Sequence, residues 1–380
     1  MTDTILCVDI GTTSLKAALL PDNLAKNEIF VSRQYFSENA IIENRVSEEY
    51  LLALSAAIRQ LHEKNPDYAV EAICVSGNGP SVISDDGTTL LHNQIFISGS
   101  RGQMHGMTKE IKSALRATKS LFIPKFLGFK HNFPFSWKRS KHILGAPEFL
   151  LCELTGEVVS ILPEERFLPA YWNDSELLNC GFSSADIKRL PPFVKAGEFV
   201  GKVSGRAALA TGLLEGTLVF AGAPDFVVAL VGTGTVFPGR LCDRAGSSEG
   251  LNLCTTKPVF AEGLRTMPSI VPELWNLSYL LKSDTNYTNF TNYLDELKCG
   301  ISLLREAACS SGEYFPDFMT ITGGQALSDE LIAQKEEATG LKIKKMPCAD
   351  AELLGDLILA RVSLGDYDDI SKAVFAILGA

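Results

Sequence analysis

Apolar residues dominate two short runs at the start of the chain, and a polar turn separates them. The runs span residues 4–10 and 15–20, and the intervening Gly11–Ser14 contains only glycine and hydroxyl residues, which predicts a β-hairpin. One charge, Asp9, interrupts the first run directly before the turn. Burying a carboxylate is costly unless something compensates it. The strand end therefore either opens into a site or forms only a tight polar hairpin.

The pattern that follows predicts a mixed α/β sheet. A third short strand is expected at 28–33, and a helix with apolar residues at helical spacing begins near Ser47. A buried strand follows at 72–76. Three strands before the first helix differ from the strict alternation of strand and helix in a parallel Rossmann sheet. The middle, 104–190, is expected to be mostly helical and irregular, and amphipathic helices are expected near the end, at 349–364 and 370–378.

Composition indicates a large packed core and disfavours several classes of function. The 380 residues suit about two domains, and 46% are hydrophobic, which argues against wholesale disorder. A net charge of −10 disfavours a broad nucleic-acid footprint. The basic segment 125–141 is interpreted as a solvated face whose aromatic residues Phe129, Phe133 and Trp137 anchor the core.

Cysteine usage and the apolar pattern point to a cytoplasmic protein. The nine cysteines contain no Cys-x-x-Cys pair, which suits a reducing compartment, and no His/Cys spacing suggests zinc. Acidic residues interrupt the N-terminal segment, so no signal peptide is predicted. The most apolar region, 213–238, is broken by charges and glycines, and we expect no membrane span there.

Four glycine-bearing stretches have the chemistry of phosphate-binding turns. None matches the P-loop pattern or Gly-x-Gly-x-x-Gly between a strand and a helix. Turns that combine glycine with hydroxyl residues expose backbone N–H groups that can cradle an anion, and a carboxylate beside such a turn suits Mg²⁺. Taken singly, each stretch is also typical of an ordinary turn. The stretches are Gly11–Ser14, Gly232–Thr235, Gly246–Ser248 and Gly323–Gly324. Residues 245–250, which precede the apolar run at Leu251, weakly resemble the turn of the first hairpin in their chemistry.

Seven stretches, taken in order along the chain, resemble those of the FGGY carbohydrate kinases. These kinases belong to the superfamily of actin-like proteins, sugar kinases and heat-shock chaperone ATPases. The stretches are Val8–Lys16, Ile73–Pro80, Glu148–Glu157, Ala221–Gly234, Gly246–Ser248, Ile321–Ser328 and Ala351–Ala360. The resemblance implies an α/β fold of two ribonuclease H-like, actin-like ATPase domains, with mixed sheets flanked by helices and an active-site cleft between them. It implies a sugar-binding and catalytic domain at 1–237 and a shortened ATP-binding domain at 238–380.

The resemblance further implies ATP-dependent phosphorylation of a hydroxyl on a small ketose or polyol. Asp225 would accept the hydroxyl proton as general base, and Asp9 would act on Mg²⁺ through water. The residues implied to hold ATP and its phosphates are Gly11, Thr12, Thr13, Ser14, Lys16, Gly246, Ser247, Ser248, Gly323, Gly324 and Gln325. The residues implied to contact the sugar are Asn78, Gly79, Arg101 and Asp225. The expected partners are thus the sugar, ATP and Mg²⁺, in a monomer or homodimer.

The departures from the family pattern lie mainly on the sugar side. The chain is much shorter than typical members, chiefly between Gly250 and Gly323. It has Ile97–Arg101 where the family has Trp-x-Asp-x-Arg, and Asn78-Gly79-Pro80 where the family has Gln-x-His. Changes in hydroxyl-pairing groups alter which substrate fits. The acceptor therefore stays open among pentuloses, hexuloses and polyols.

Alternative interpretations accompany the main one. A diverged, non-catalytic sugar- or nucleotide-binding regulatory protein on the same fold is the alternative function, and a chaperone-like or actin-like ATPase is a third. At the level of residues, Asp225 also suits a helix N-cap. Lys16 also suits an exposed strand position, and Asn78 a turn that tolerates positive φ. Asp85-Asp86-Gly87 is most simply a β-turn.

Overall fold

The computed structural model describes residues 2–24, 29–91, 108–246, 249–281 and 290–379. The chain divides into two units, called unit 1 and unit 2 below. Unit 1 comprises Met1–Pro21 and Phe30–Asp225, and unit 2 comprises Asp22–Ile29 and Phe226–Ala380. The sequence-based boundary between residues 237 and 238 falls within unit 2 and stays a prediction.

The strands of unit 1 are β1 (Thr2–Ile10), β2 (Ser14–Leu20), β3 (Ser32–Tyr35), β4 (Tyr68–Gly77), β5 (Val82–Ser84), β6 (Thr89–Leu90), β7 (Ile143–Leu144), β8 (Ser160–Leu162), β9 (Phe193–Lys195), β10 (Phe199–Lys202) and β11 (Leu218–Pro224). Its helices are α1 (Glu38–Ile42), α2 (Tyr50–Lys64), α3 (Lys109–Ala117), α4 (Ile123–Asn132), α5 (Pro134–Arg139), α6 (Ala146–Thr155), α7 (Asp174–Asn179), α8 (Ser184–Ile187) and α9 (Gly205–Thr211). Two 3-10 helices span Val46–Glu49 and Glu165–Ala170.

A mixed six-stranded sheet organises unit 1, in the order β10-β11-β4-β1-β2-β3. The predicted hairpin is confirmed as β1 and β2, which pair antiparallel, whereas β1 with β4 and β4 with β11 pair parallel. The third strand spans Ser32–Tyr35 rather than the predicted 28–33. It pairs with β2 in a register that places Tyr35 opposite Ser14 and Ser32 opposite Ala17. Helices α2 and α6 contribute Leu54, Ile58 and Leu150 to the core that covers the sheet.

The basic segment of unit 1 is only partly a solvated face. Phe129 and Trp137 are buried core residues, as predicted. Lys125, however, is buried as well, and its Nζ donates to the carbonyl oxygen of Leu91 at 2.9 Å. Burial lowers the pKa of Lys125 to about 8. The prediction of a solvated face is therefore wrong at Lys125, because α4 turns this side chain inward.

Unit 2 contains a second mixed six-stranded sheet, in the order β14-β15-β13-β12-β16-β17. The strands are β12 (Leu241–Ala245), β13 (Glu249–Thr255), β14 (Arg265–Pro268), β15 (Trp275–Leu280), β16 (Phe318–Thr322) and β17 (Lys342–Lys345). The helices are α10 (Asp225–Gly232), α11 (Phe290–Ser310), α12 (Asp329–Thr339), α13 (Ala351–Leu364) and α14 (Ile370–Leu378), and a 3-10 helix spans Gly324–Leu327. The two helices predicted near the end are thus confirmed.

The hairpin of β12 and β13 occupies the same place in its sheet as the first hairpin does. Strand β12 pairs antiparallel with β13 on one side and parallel with β16 on the other. Strand β1 likewise pairs antiparallel with β2 and parallel with β4. The weak echo between the two Gly/Ser-rich turns therefore coincides with a repeated strand order.

Two further findings bear on the sequence-based expectations. All nine cysteines lie within the described residues, and none of them forms a disulfide bond there. Among the described helices, none combines the length and the apolar character that a membrane crossing requires.

Helices α10 and α13 approach each other at two glycines. A Cβ on Gly232 would lie 1.9 Å from the carbonyl oxygen of Ala351, and a Cβ on Gly355 would lie 2.1 Å from that of Val228. Both contacts are with backbone, which cannot rotate away as a side chain can. The close crossing therefore requires the absence of a side chain at both positions.

We expect Gly355→Ala to destabilise the protein by about 2 kcal/mol or more, because the added methyl group forces the two helices apart. The better helix propensity of alanine, worth about 1 kcal/mol, offsets only part of this cost. Urea denaturation measures the change in the free energy of unfolding. Gly205→Ala is the control, since a Cβ there would lie 3.3 Å from the side-chain carboxylate of Glu215, which unlike backbone can rotate away. Equal stability of the two variants would contradict the proposed crowding.

Candidate functional site

The carboxyl ends of three parallel strands meet at one edge of the unit 1 sheet. The register pairs Ile10 of β1 with Gly77 of β4, and Gly77 with Pro224 of β11. Ligand sites in sheets of this kind lie outside the carboxyl ends of the strands. Three predicted site residues, distant in sequence, are brought to this edge. They are Asp9, Asn78 and Asp225.

Asp9 is only 3% exposed, and a cross-strand ion pair compensates its charge. Asp9 and Lys16 are register partners in the hairpin, and Lys16 Nζ lies 3.1 Å from Asp9 Oδ2. This pair provides the compensation that a buried carboxylate requires. The interpretation of Lys16 as an ordinary exposed strand residue is therefore wrong, because its ammonium group is bound to Asp9.

The donor set around Asp9 suits a magnesium ion held through water better than one held directly. Mg²⁺ keeps several of its waters and takes one or two carboxylates besides substrate phosphates. Asp9 supplies one carboxylate beside the Gly11–Ser14 turn. Across the described residues, no group of three or more His, Cys, Asp and Glu side chains could hold a metal ion directly.

A backbone hydrogen bond closes the Gly11–Ser14 turn, and two of its three hydroxyl residues are accessible to solvent. The N–H of Gly11 donates to the carbonyl oxygen of Ser14 at 2.9 Å, and a Cβ on Gly11 would lie 3.1 Å from that oxygen. Thr12 is half-buried and Thr13 is exposed, whereas Ser14 is buried at the start of β2. Thr12 and Thr13 are thus the hydroxyl residues of this turn that a ligand reaches from solvent.

Asn78 is fixed to the end of β1. Its backbone N–H and its Nδ2 both donate to the carbonyl oxygen of Ile10, at 2.7 and 2.9 Å. Gly77 permits this close approach, because a Cβ there would lie 2.8 Å from the same oxygen. The positive φ suggested for Asn78 is wrong, since Asn44 and Glu273 are the non-glycine residues with positive φ in the described part of the chain. Its Oδ1 is buried and has no hydrogen-bond partner among the described residues.

A pocket opens beside these strand ends, within unit 1. Aromatic and apolar side chains form much of its wall, and the rings of Phe122 and Tyr171 lie 4.6 Å apart. Asn78 and Gly79, both predicted to contact sugar, line it, as does Pro224, which directly precedes Asp225. An apolar pocket with a few fixed polar groups is typical of small-molecule sites.

Glu148 also lines this pocket, and sequence reasoning missed it as a site residue. It lies in the first turn of α6 and is 7% exposed. The N–H of Ile161 donates to its Oε1 at 3.0 Å. Burial raises the pKa of the Glu148 carboxyl to about 7, although hydrogen bonds from the backbone N–H groups of Ile161 and Glu148 itself oppose the rise. A glutamate near a helix start is common, so the sequence carries no signal of its burial.

We expect Glu148→Gln to stabilise the protein at pH 8 and to have little effect at pH 4. The unfolded chain loses the Glu148 proton near pH 4.5 and the folded chain only near pH 7. The folded state therefore loses stability as the pH rises between these values, by at most about 3 kcal/mol, and glutamine removes that loss. Urea denaturation from pH 4 to pH 8 measures the difference, with exposed Glu157→Gln as the control. A difference that does not change with pH would refute the assignment.

The predicted ATP residues of unit 2 are partly described. Gly246 directly follows β12 and is exposed. The described residues do not include Ser247 and Ser248, nor Arg101, the predicted sugar contact of unit 1. A Cβ on Gly323 would lie 2.4 Å from the carbonyl oxygen of Ala245, whereas one on Gly324 would meet open space. Gly323 is thus required by packing, and the backbone of Gly324 is accessible.

The side chain of Gln325 points into a buried network of unit 2. Its Nε2 donates to Glu249 Oε2 at 2.7 Å, and its Oε1 accepts from the Tyr293 hydroxyl at 3.0 Å. Lys335 Nζ contacts Asp243 and lies 3.0 Å from Glu249 Oε1, in a cluster closed to solvent. Burial lowers the pKa of Lys335, but the two carboxylates outweigh it and hold the pKa above its usual value. Sequence reasoning missed this network entirely.

Comparisons with known proteins support the family that the sequence motifs suggest. Residues 4–232 match the family model of the N-terminal domain of the FGGY family of carbohydrate kinases. The xylulose kinase of Bacillus subtilis strain 168 is 24% identical over 263 residues, which cover 64% of this chain and 52% of that protein. The chain thus spans about half the length of the curated relatives it matches.

Solved structures show the same fold. The ligand-bound xylulose kinase from Lactobacillus acidophilus superposes with a TM-score of 0.73 at 16% identity, covering 99% of this chain and 92% of that one. The gluconate kinase from Lactobacillus acidophilus also gives 0.73, at 15% identity, covering 100% and 92%. The mixed α/β fold with two helix-flanked sheets is therefore confirmed. Since the family match covers more than half of its residues, the chain belongs to the FGGY family of carbohydrate kinases.

Proposed function

We propose that this protein is an ATP-dependent kinase that phosphorylates a hydroxyl group of a small sugar or polyol. The observation that carries the proposal is the edge of the unit 1 sheet. There, Asp9, Asn78 and Asp225 end or follow three adjacent parallel strands, and a pocket lies next to Asp225. The family membership and the kinase names of the relatives support the same reaction class.

Asp225 has the position of a general base in this proposal. It is the first residue of α10 and directly follows Pro224, which lines the pocket. The N-terminus of a helix favours a negatively charged side chain at this position. A hydroxyl of a sugar bound in the pocket would give its proton to Asp225 as the phosphoryl group is transferred.

The phosphates of ATP would be held by backbone and hydroxyl donors of glycine-rich turns. In unit 1 these are Thr12 and Thr13 with the backbone of the Gly11–Ser14 turn. In unit 2 the sequence offers Gly246, with Ser247 and Ser248, which lie outside the described residues. Gly324 offers accessible backbone to the adenosine. Mg²⁺, when bound, neutralises charge on the phosphates, and Asp9 would hold it through water while Lys16 keeps the Asp9 side chain in place.

A screen of ADP release tests the proposal. The chain is incubated with MgATP and, separately, with pentuloses, hexuloses, polyols and aldonates, and ADP is measured by a coupled assay. We expect ATP consumption to require one of these compounds. If a sugar binds in calorimetry but none stimulates ADP release, the alternative of a non-catalytic binding protein is favoured, as the altered sugar-side motifs would allow. If none binds or reacts, the kinase proposal fails.

A further inference from the structure

Two polar side chains of the unit 1 pocket have hydrogen-bond acceptor sites available to a ligand. The Glu148 carboxylate has about four such sites, and the backbone N–H groups of Ile161 and of Glu148 itself use only part of them. Ile161 occupies Oε1 of Glu148, while Oε2 lies over bare Gly145, where a Cβ would come within 2.3 Å of it. No side chain of the described residues forms a hydrogen bond or ion pair with the Glu148 carboxyl. The second acceptor is Oδ1 of Asn78, which is buried and has no partner within the described part of the chain.

The other side chains that line the pocket add no positive charge to it. The hydroxyl of Ser81 is engaged, since it donates to the carbonyl oxygen of Asn78 and accepts from the N–H of Ala146. No Lys, Arg or His among the described residues lines the pocket. Besides Glu148, the titratable group that lines it is Tyr171, and burial together with the Glu148 charge raises the pKa of Tyr171 well above its usual value. The neighbouring Asp225 adds a further negative charge.

We propose that Glu148 is a specificity-determining residue, which together with Asn78 accepts hydrogen bonds from the hydroxyl groups of an uncharged ketose or polyol and rejects sugar acids. This inference rests on the proposed kinase function and names its substrate class. Sugar hydroxyls donate hydrogen bonds and would satisfy both buried acceptors. The carboxylate of an aldonate cannot donate. At pH 8, above the pKa of Glu148, it would face Glu148 and Asp225, and no cationic side chain of the described residues lines the pocket. The comparisons leave this choice open, because xylulose and gluconate kinases share the fold equally well.

Glu148→Gln tests the proposal because it exchanges one acceptor for a donor at nearly constant shape. The glutamine Oε1 can still accept from Ile161, so its NH₂ group replaces Oε2 over Gly145. The kcat/KM for ADP release is measured at pH 8, where Glu148 is ionised, with the best neutral sugar of the screen and with gluconate. We expect the neutral sugar to lose about tenfold or more, mainly through KM, and the ratio of gluconate to neutral sugar to rise at least tenfold. Calorimetry with both compounds reports binding independently of turnover.

Two further variants separate specificity from stability. Glu157→Gln, an exposed change just beyond α6, should leave both the rates and the ratio unchanged. Glu148→Asp keeps the charge but draws it back from the pocket. It should therefore weaken binding of the neutral sugar while gluconate stays rejected.

The outcomes distinguish this inference from the proposed function. If the wild-type chain binds and phosphorylates none of the screened compounds, gluconate included, both are overturned. If it phosphorylates a neutral sugar but Glu148→Gln leaves the gluconate ratio within about twofold of the wild type, only the specificity role is overturned. Wild-type preference for gluconate would likewise overturn the specificity role and leave the kinase intact.

Discussion

Asp225→Asn is expected to lower sugar-dependent ADP release by about 10²- to 10⁴-fold, the range typical of losing a general base. Asparagine has nearly the same shape as aspartate and is well tolerated at a helix start, but it cannot accept the proton of the reacting hydroxyl. The loss should therefore appear in kcat. Binding of the sugar and of ATP, measured by calorimetry, should change little.

Asp174→Asn provides a matched control for this experiment. Asp174 is likewise the first residue of a helix, α7, and it is exposed. The control should retain wild-type turnover and wild-type thermal stability. If Asp225→Asn also retained turnover with the best sugar, the assignment of the base would be wrong. If it lost sugar binding altogether, Asp225 would be a substrate ligand rather than a base.

Lys335→Met is expected to destabilise the protein by about 3–5 kcal/mol, the usual result of removing one partner from a buried ion-pair network. Lys335 has no exposed surface and is held between Asp243 and Glu249. Without the ammonium group, two carboxylates would remain buried close to each other. Urea denaturation at pH 7, followed by circular dichroism, measures the loss.

The matched control is Lys345→Met. Lys345 pairs with Asp329 on the surface, where its side chain is 45% exposed and that of Asp329 is 90% exposed. An exposed pair of this kind contributes less than about 1 kcal/mol. A triple variant that also carries Asp243→Asn and Glu249→Gln should recover part of the stability. Equal losses of stability for Lys335→Met and Lys345→Met would show that the Lys335 charge does not stabilise the buried carboxylates of Asp243 and Glu249.

The elements that sequence reasoning predicted are those whose pattern is local. The first hairpin and helices α13 and α14 each carry their own apolar periodicity, so a short window suffices to recognise them. The strand order is different, because it pairs segments far apart. The meeting of Asp9, Asn78 and Asp225 at one edge depends on the register of β1, β4 and β11, which no single motif contains.

The residues that sequence reasoning missed are charged side chains that the fold buries. Glu148, Lys125 and Lys335 each occupy helix positions where a charge normally faces water. Their burial is decided by partners on distant segments, such as the Ile161 N–H for Glu148 and Asp243 for Lys335. A periodicity in one helix carries no information about such partners. The motif resemblance pointed to Asp9 and Asp225 because it draws on several stretches along the chain rather than on one local pattern.

The buried network of unit 2 also limits how this chain can evolve. Lys335, Asp243 and Glu249 stabilise one another only as a set. A protein that has lost one of the three by mutation is therefore less stable until the others change as well. We therefore expect the three positions to be inherited together in descendants of this protein. Lineages that replace the lysine with an apolar residue should have replaced Asp243 as well, and the three positions would then vary in step rather than drift independently.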